Sequence, residues 1–104
     1  MKNIMLVCGA GMSTNLLVTK MEKAAAALGE EANIFALPIL DGLKHLSEVD
    51  CVLMGPQVSY DKPQVLSKMK EMNITIPCEV IDKRDYGTMN GEKVYQFAKK
   101  VMGE

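Results

Sequence analysis

Along the chain, short apolar runs alternate with stretches whose apolar residues recur at helical spacing. Lys2 to Val7 carries Ile4, Met5, Leu6 and Val7 with no polar alternation, the pattern of a strand buried on both faces. It leads directly into Cys8-Gly9-Ala10-Gly11-Met12-Ser13-Thr14. Beyond this loop Leu17, Met21, Ala24 and Leu28 repeat at helical spacing between polar Lys20, Glu22 and Lys23, and Gly29 supplies a C-terminal stop. Ala32 to Leu37 predicts a second strand ended by Pro38. Ile39, Leu43 and Leu46 predict a short helix, and Cys51 to Met54 a third strand closed by Gly55-Pro56. Pro63 opens a helix whose buried side takes in Leu66, Met69 and Met72, with Asn73 near its end. Cys78 to Ile81 reads as the fourth strand. Val94, Phe97, Ala98 and Val101 then mark a final amphipathic helix with Lys99-Lys100 in its last turn.

Alternating strands and helices predict an α/β fold, because parallel strands require crossover connections of fixed hand. The expectation is one domain over residues 1–104: a four-stranded parallel sheet of order 2-1-3-4 with helices on both faces. In such sheets ligands bind beyond the carboxyl ends of the strands, where the winding reverses, here between strands 1 and 3. Three segments meet there: Cys8 to Asn15, Gly55 to Tyr60 and Asp82 to Gly87.

Composition narrows the function. The chain has 104 residues, 12 Lys+Arg against 13 Asp+Glu, one His, three Cys and nine Met. A formal charge of −1 gives no electrostatic basis for binding nucleic acid or an anionic membrane. No apolar run nears the roughly 18 residues of a membrane span, and the apolar start is read as mature sequence. Cys8, Cys51 and Cys78 are neither even in number nor clustered, so no disulfide framework and no metal site are expected, and free thiols fit a reducing cytoplasm. Cys51 and Cys78, inside apolar strands, are read as buried and inert, and most methionines as core filling. His45 is read as solvated, and Lys83-Arg84-Asp85 as a solvated turn.

The first loop carries the candidate chemistry. Its glycines let the backbone turn N–H groups inward as an anion nest, and Ser13 or Thr14 can cap the helix or meet a phosphate oxygen. A helix N-terminus favours a dianion and equally a thiolate at Cys8. The residues alone leave a second reading open, since a cysteine ending a buried strand is commonly a small core hydrophobe.

Three motifs in register decide between them. Cys-x-Ala-Gly-Met-Ser-Thr-x-Leu-Leu (Cys8 to Leu17), Gly-Pro-Gln-x-x-Tyr (Gly55 to Tyr60) and Ile-Asp-x-x-x-Tyr-Gly (Ile81 to Gly87) resemble the lactose/cellobiose-type enzyme IIB of the bacterial phosphoenolpyruvate-dependent sugar phosphotransferase system, most of all its cellobiose/chitobiose branch. The resemblance runs over essentially the whole chain. It implies a phosphotransferase in which Cys8 takes a phosphoryl group from a phosphohistidine of the IIA component and passes it to a β-disaccharide such as cellobiose or chitobiose, held by the membrane permease IIC. It also implies a phosphate loop formed by Gly9, Ala10, Gly11, Met12, Ser13, Thr14 and Asn15, with Gln57, Tyr60, Asp82 and Tyr86 on the same rim. The protein is then a cytoplasmic, monomeric carrier without cofactor, peripheral when docked on IIC. Position 9 is Gly where relatives carry other small residues.

Two further readings are weaker. A phosphatase or arsenate reductase with a similar loop has an arginine six residues after the cysteine, where Thr14 stands here. The other is a non-catalytic α/β module. No GxxxxGK[ST] motif is present, so nucleotide is not the expected donor.

Overall fold

Two apolar runs form the centre of the sheet. The computed structural model describes residues 2–9 and 12–104, with the backbone alone for Met12 and Ser13. In chain order the elements are β1 (Lys2–Cys8), α1 (Met12–Ala27), β2 (Ala32–Pro38), α2 (Ile39–Gly42), β3 (Cys51–Met54), α3 (Lys62–Glu71), β4 (Cys78–Val80), α4 (Lys83–Gly87) and α5 (Gly91–Val101). Short 3₁₀ turns lie at Leu46–Glu48 and Pro56–Asp61. The four strands are all parallel in the order β2-β1-β3-β4, as the alternation predicts.

Strand periodicity divides the central residues between two cores. Ile4, Leu6, Cys51 and Leu53 join Ile34 beneath Leu17, Met21 and Ala25 of α1 and Val94, Tyr95 and Ala98 of α5. Met5, Val7, Val52 and Met54 face the other way, with Cys78, onto Leu46, Val49, Val58, Val65 and Met69. Burying one such large side chain contributes about 1.5–3 kcal/mol relative to leaving it exposed. The edge position of β2 explains Pro38, whose missing N–H is tolerated at the end of an edge strand.

Several helices differ from expectation in phase. On α1 the inward position falls to Ala25 rather than Leu28, which is exposed. The helix ends at Ala27, where Gly29 turns back with φ 71° and Glu30 N–H donates to the Ala25 carbonyl. On α3 the buried pair is Val65 and Met69, four residues apart, so Leu66 projects to solvent and Met72 is partly exposed. Asn73 takes the left-handed conformation just beyond, at φ 58°. The expected short helix around Leu43 breaks into α2 and a separate 3₁₀ turn. On α5 the buried positions are Gly91, Val94, Tyr95 and Ala98, and Phe97 and Val101 only flank the core. The stretch read as a solvated turn, Lys83-Arg84-Asp85, is the body of α4.

One close approach depends on a missing side chain. A Cβ on Gly91 would lie 2.5 Å from both the carbonyl carbon and Cβ of Lys20, so α5 rests directly against the backbone of α1. At Gly87 a Cβ meets nothing within 4 Å. Gly91→Ala is therefore expected to cost about 1–3 kcal/mol, read as a fall in Tm of about 5–20 °C, while Gly87→Ala stays within about 0.5 kcal/mol. Thermal denaturation of the two variants checks the contrast.

Candidate functional site

β1 runs one residue further than its apolar pattern, so Cys8 is the last residue of the strand, in register with Pro38. Its Sγ lies 3.7 Å from the Leu37 carbonyl oxygen, a weak thiol donation, and the residue has no exposed surface. Gly9 follows as an exposed bend, where a Cβ would touch Val58 Cγ1 at 3.5 Å. That is ordinary contact, so another small residue would fit there without opening the turn. Of the expected phosphate loop, Ala10 and Gly11 lie outside the described residues, as do the side chains of Met12 and Ser13.

The far side of the loop is tied down. Thr14, the third residue of α1, is buried, and its Oγ1 is 2.9 Å from the Tyr86 hydroxyl. Its hydroxyl is thus engaged across the sheet rather than capping its own helix. Gln57 Nε2 donates to the same Tyr86 oxygen at 3.0 Å. One phenol therefore links the start of α1, the turn after β3 and α4. Asn15 is exposed, and its carbonyl accepts from Thr19 Oγ1.

Asp82 places that phenol. Its Oδ1 accepts from the N–H groups of Arg84 at 2.8 Å and Asp85 at 3.2 Å, and its carbonyl accepts from Tyr86 N–H at 2.9 Å. This is an N-cap that forces one helical turn immediately after β4. Asp82 is thus a positioning residue for Tyr86. Neither the 3₁₀ turn at Pro56–Asp61 nor the Tyr86 bridge was foreseen, although Asp82 three residues before Asp85 is a legible capping signal. Tyr60, 77% exposed, makes no such link and stands at the surface with Leu16 and Leu40.

The remaining candidates sort by position. Cys51 and Cys78 are buried, and the register pairs Cys78 with Val52, which puts the two thiols on opposite faces of the sheet. Burial pushes the Cys51 thiol up to about 12. It pushes the Cys78 thiol up to about 11, against the pull of the Lys62 ammonium. His45 is partly exposed and paired with Glu48 Oε2 at 3.0 Å. Among the described residues no His, Cys, Asp and Glu group is placed to hold a metal ion, and no helix is long and apolar enough to cross a membrane.

At about pH 8 a thiol whose pKa is 11 or higher is thiolate in no more than about one molecule in a thousand. Iodoacetamide applied to the native protein is expected to modify Cys8 first, and Cys51 and Cys78 only after unfolding. Mass mapping of the alkylated peptides checks this, and equal labelling of all three would contradict it.

Comparison with known proteins places the chain in a class. The lactose-specific IIB domain of the phosphotransferase system from Streptococcus pneumoniae has the same fold, with a TM-score of 0.82 over 96% of each chain at 12% identity. The cellobiose-specific IIB component from Borrelia burgdorferi superposes with a TM-score of 0.78 at 42% identity, covering 97% of this chain and 91% of that one. The class is that of the IIB subunits of sugar phosphotransferase systems. More narrowly, residues 3–97 match the family described as "PTS system, Lactose/Cellobiose specific IIB subunit", and the chain belongs to it. Relatives include the oligo-beta-mannoside-specific EIIB component of Bacillus subtilis (strain 168), 42% identical over 98% of this chain and 97% of the relative. The galactose-specific component of Lactococcus lactis subsp. cremoris and the cellobiose-specific component of Lactococcus lactis subsp. lactis are each 42% identical over 97% of this chain and 96% of theirs.

Proposed function

We propose that this IIB component carries a phosphoryl group on Cys8, taken from a phosphohistidine of the IIA component and delivered to a sugar held by the membrane component IIC. The observation that supports it best is the placement of Cys8 at the carboxyl end of a central strand, just ahead of a 16-residue helix. In the first step the sulfur attacks phosphorus, the histidine N–P bond breaks as the S–P bond forms, and the thiol proton passes to the leaving imidazole. In the second a sugar hydroxyl oxygen attacks, the O–P bond forms as the S–P bond breaks, and the hydroxyl proton passes to the departing sulfur, restoring the thiol.

Charge on the transferred group needs donors fixed in place rather than a covalent partner. That role is assigned to the backbone amides of the loop Gly9 to Asn15, of which Ala10 and Gly11 lie outside the described residues, together with the positive end of α1. Thr14, held by Tyr86, fixes the helix end of that loop. A sulfur with no exposed surface has to be uncovered before an outside phosphoryl group meets it, so uncovering Cys8 belongs to the docking step. Exposed Tyr60, Leu16 and Leu40 are apolar surface for the docking partners. The sugar is of the β-disaccharide type, cellobiose or chitobiose, with selection made in IIC.

The test is incubation with phosphoenolpyruvate, the general carrier proteins and cognate IIA, followed by mass mapping. One phosphoryl group on Cys8 is expected, and none in Cys8→Ser. Label on His45 would overturn the assignment.

A further inference from the structure

Gly55 and Gln57 are related by an observation that a docking role does not explain. A Cβ on Gly55 would fall 2.6 Å from Gln57 Oε1, 3.1 Å from its Cδ and 3.2 Å from its Nε2. The backbone of Gly55, φ −61° and ψ 146°, is open to any residue. What excludes a side chain there is the Gln57 carboxamide, folded back against the Gly55 backbone with its nitrogen aimed at Tyr86. The residue is exposed, and its end group is bonded to the Tyr86 oxygen at 3.0 Å.

The direction of the bonds matters. A carboxamide nitrogen only donates, so Gln57 fills an acceptor site of the Tyr86 oxygen at 3.0 Å. The same oxygen lies 2.9 Å from Thr14 Oγ1, where either hydroxyl can donate, so Gln57 and Thr14 meet at one atom where α1 begins. We propose that Gln57 is a positioning residue for phosphoryl transfer: seated in the space left by Gly55, it fixes the Tyr86 oxygen beside Thr14 and thereby holds the start of α1. This rests on the carrier reading above and deepens it.

Three variants test it: Gln57→Met, similar in length without the donor; Gly55→Ala, which evicts the carboxamide; and Tyr86→Phe, which removes its target. Transfer from phosphorylated IIA is measured over a range of IIA concentrations. Gln57→Met is expected to lower the saturating rate about fivefold, the effect of about one neutral hydrogen bond, with the half-saturating IIA concentration unchanged. Gly55→Ala is expected to match it, and neither change to lower the rate further in the Tyr86→Phe background.

A loss that persists in Tyr86→Phe, a change confined to the half-saturating concentration, or a wild-type rate in Gly55→Ala would each overturn the proposal. A second measurement does not need phosphorylation. Amide hydrogen exchange at Thr14 and Asn15 is expected to speed up in all three variants of the unmodified protein. Unchanged exchange in Gln57→Met and Gly55→Ala overturns the proposal. Absence of label on wild-type Cys8 instead overturns the carrier reading, and exchange still decides the role of Gln57.

Discussion

Burial of β1 on both faces governs the arrangement. From Ile4 to Val7 every side chain is locked into one of two apolar cores, so no polar chemistry can sit along the strand without an unsatisfied group. Only the carboxyl end, where the chain leaves the sheet, can hold a reactive group. There the strand stops pairing, a helix begins within four residues, and the turns after β3 and β4 lie alongside. Cys8 occupies that end. Cys51 and Cys78, one at the start of β3 and one at the start of β4, are by the same geometry committed to the cores.

Backbone bonding between the three parallel strands carries on only to the first residue beyond β3 and β4, with Gly55 N–H donating to the Val7 carbonyl and Ile81 N–H to the Met54 carbonyl. Further out the Tyr86 hydroxyl joins the loops by side chains, bonding to Thr14 beyond β1 and Gln57 beyond β3 from its own place beyond β4. Asp82 supports the arrangement by capping the single turn that carries Tyr86. Each of these bonds is modest alone, about 1 kcal/mol net in typical cases. Their value lies in connecting segments 29 and 72 residues apart from Tyr86 in sequence.

Local pattern and long-range contact were legible to different degrees. The strand runs, the Gly29 and Asn73 stops and the sheet order were readable because they follow from periodicity and handedness. Ala25 in place of Leu28, and Val65 in place of Leu66, were not, because one residue of helix phase turns a side chain by about 100° and nothing local fixes the phase. Only the approach of α1 shows why Gly91 lacks a side chain. Of the site, the Cys8 loop and the two rim motifs stood out as residue types in sequence. The Leu37 carbonyl beside the thiol did not, since a backbone acceptor from a neighbouring strand leaves no trace in residue identity.

The same geometry bears on how a phosphoryl carrier divides its work from the components around it. In the carrier reading, a thiophosphate has to outlast its encounters with water yet give way to one hydroxyl, and a sulfur enclosed at the end of a buried strand meets the first demand by exclusion. The second demand then falls on whatever uncovers it, which is a property of the docked surface and not of a sugar site. Three relatives named for oligo-beta-mannosides, galactose and cellobiose are all 42% identical to this chain. Overall likeness therefore gives no preference among those three sugars for this chain.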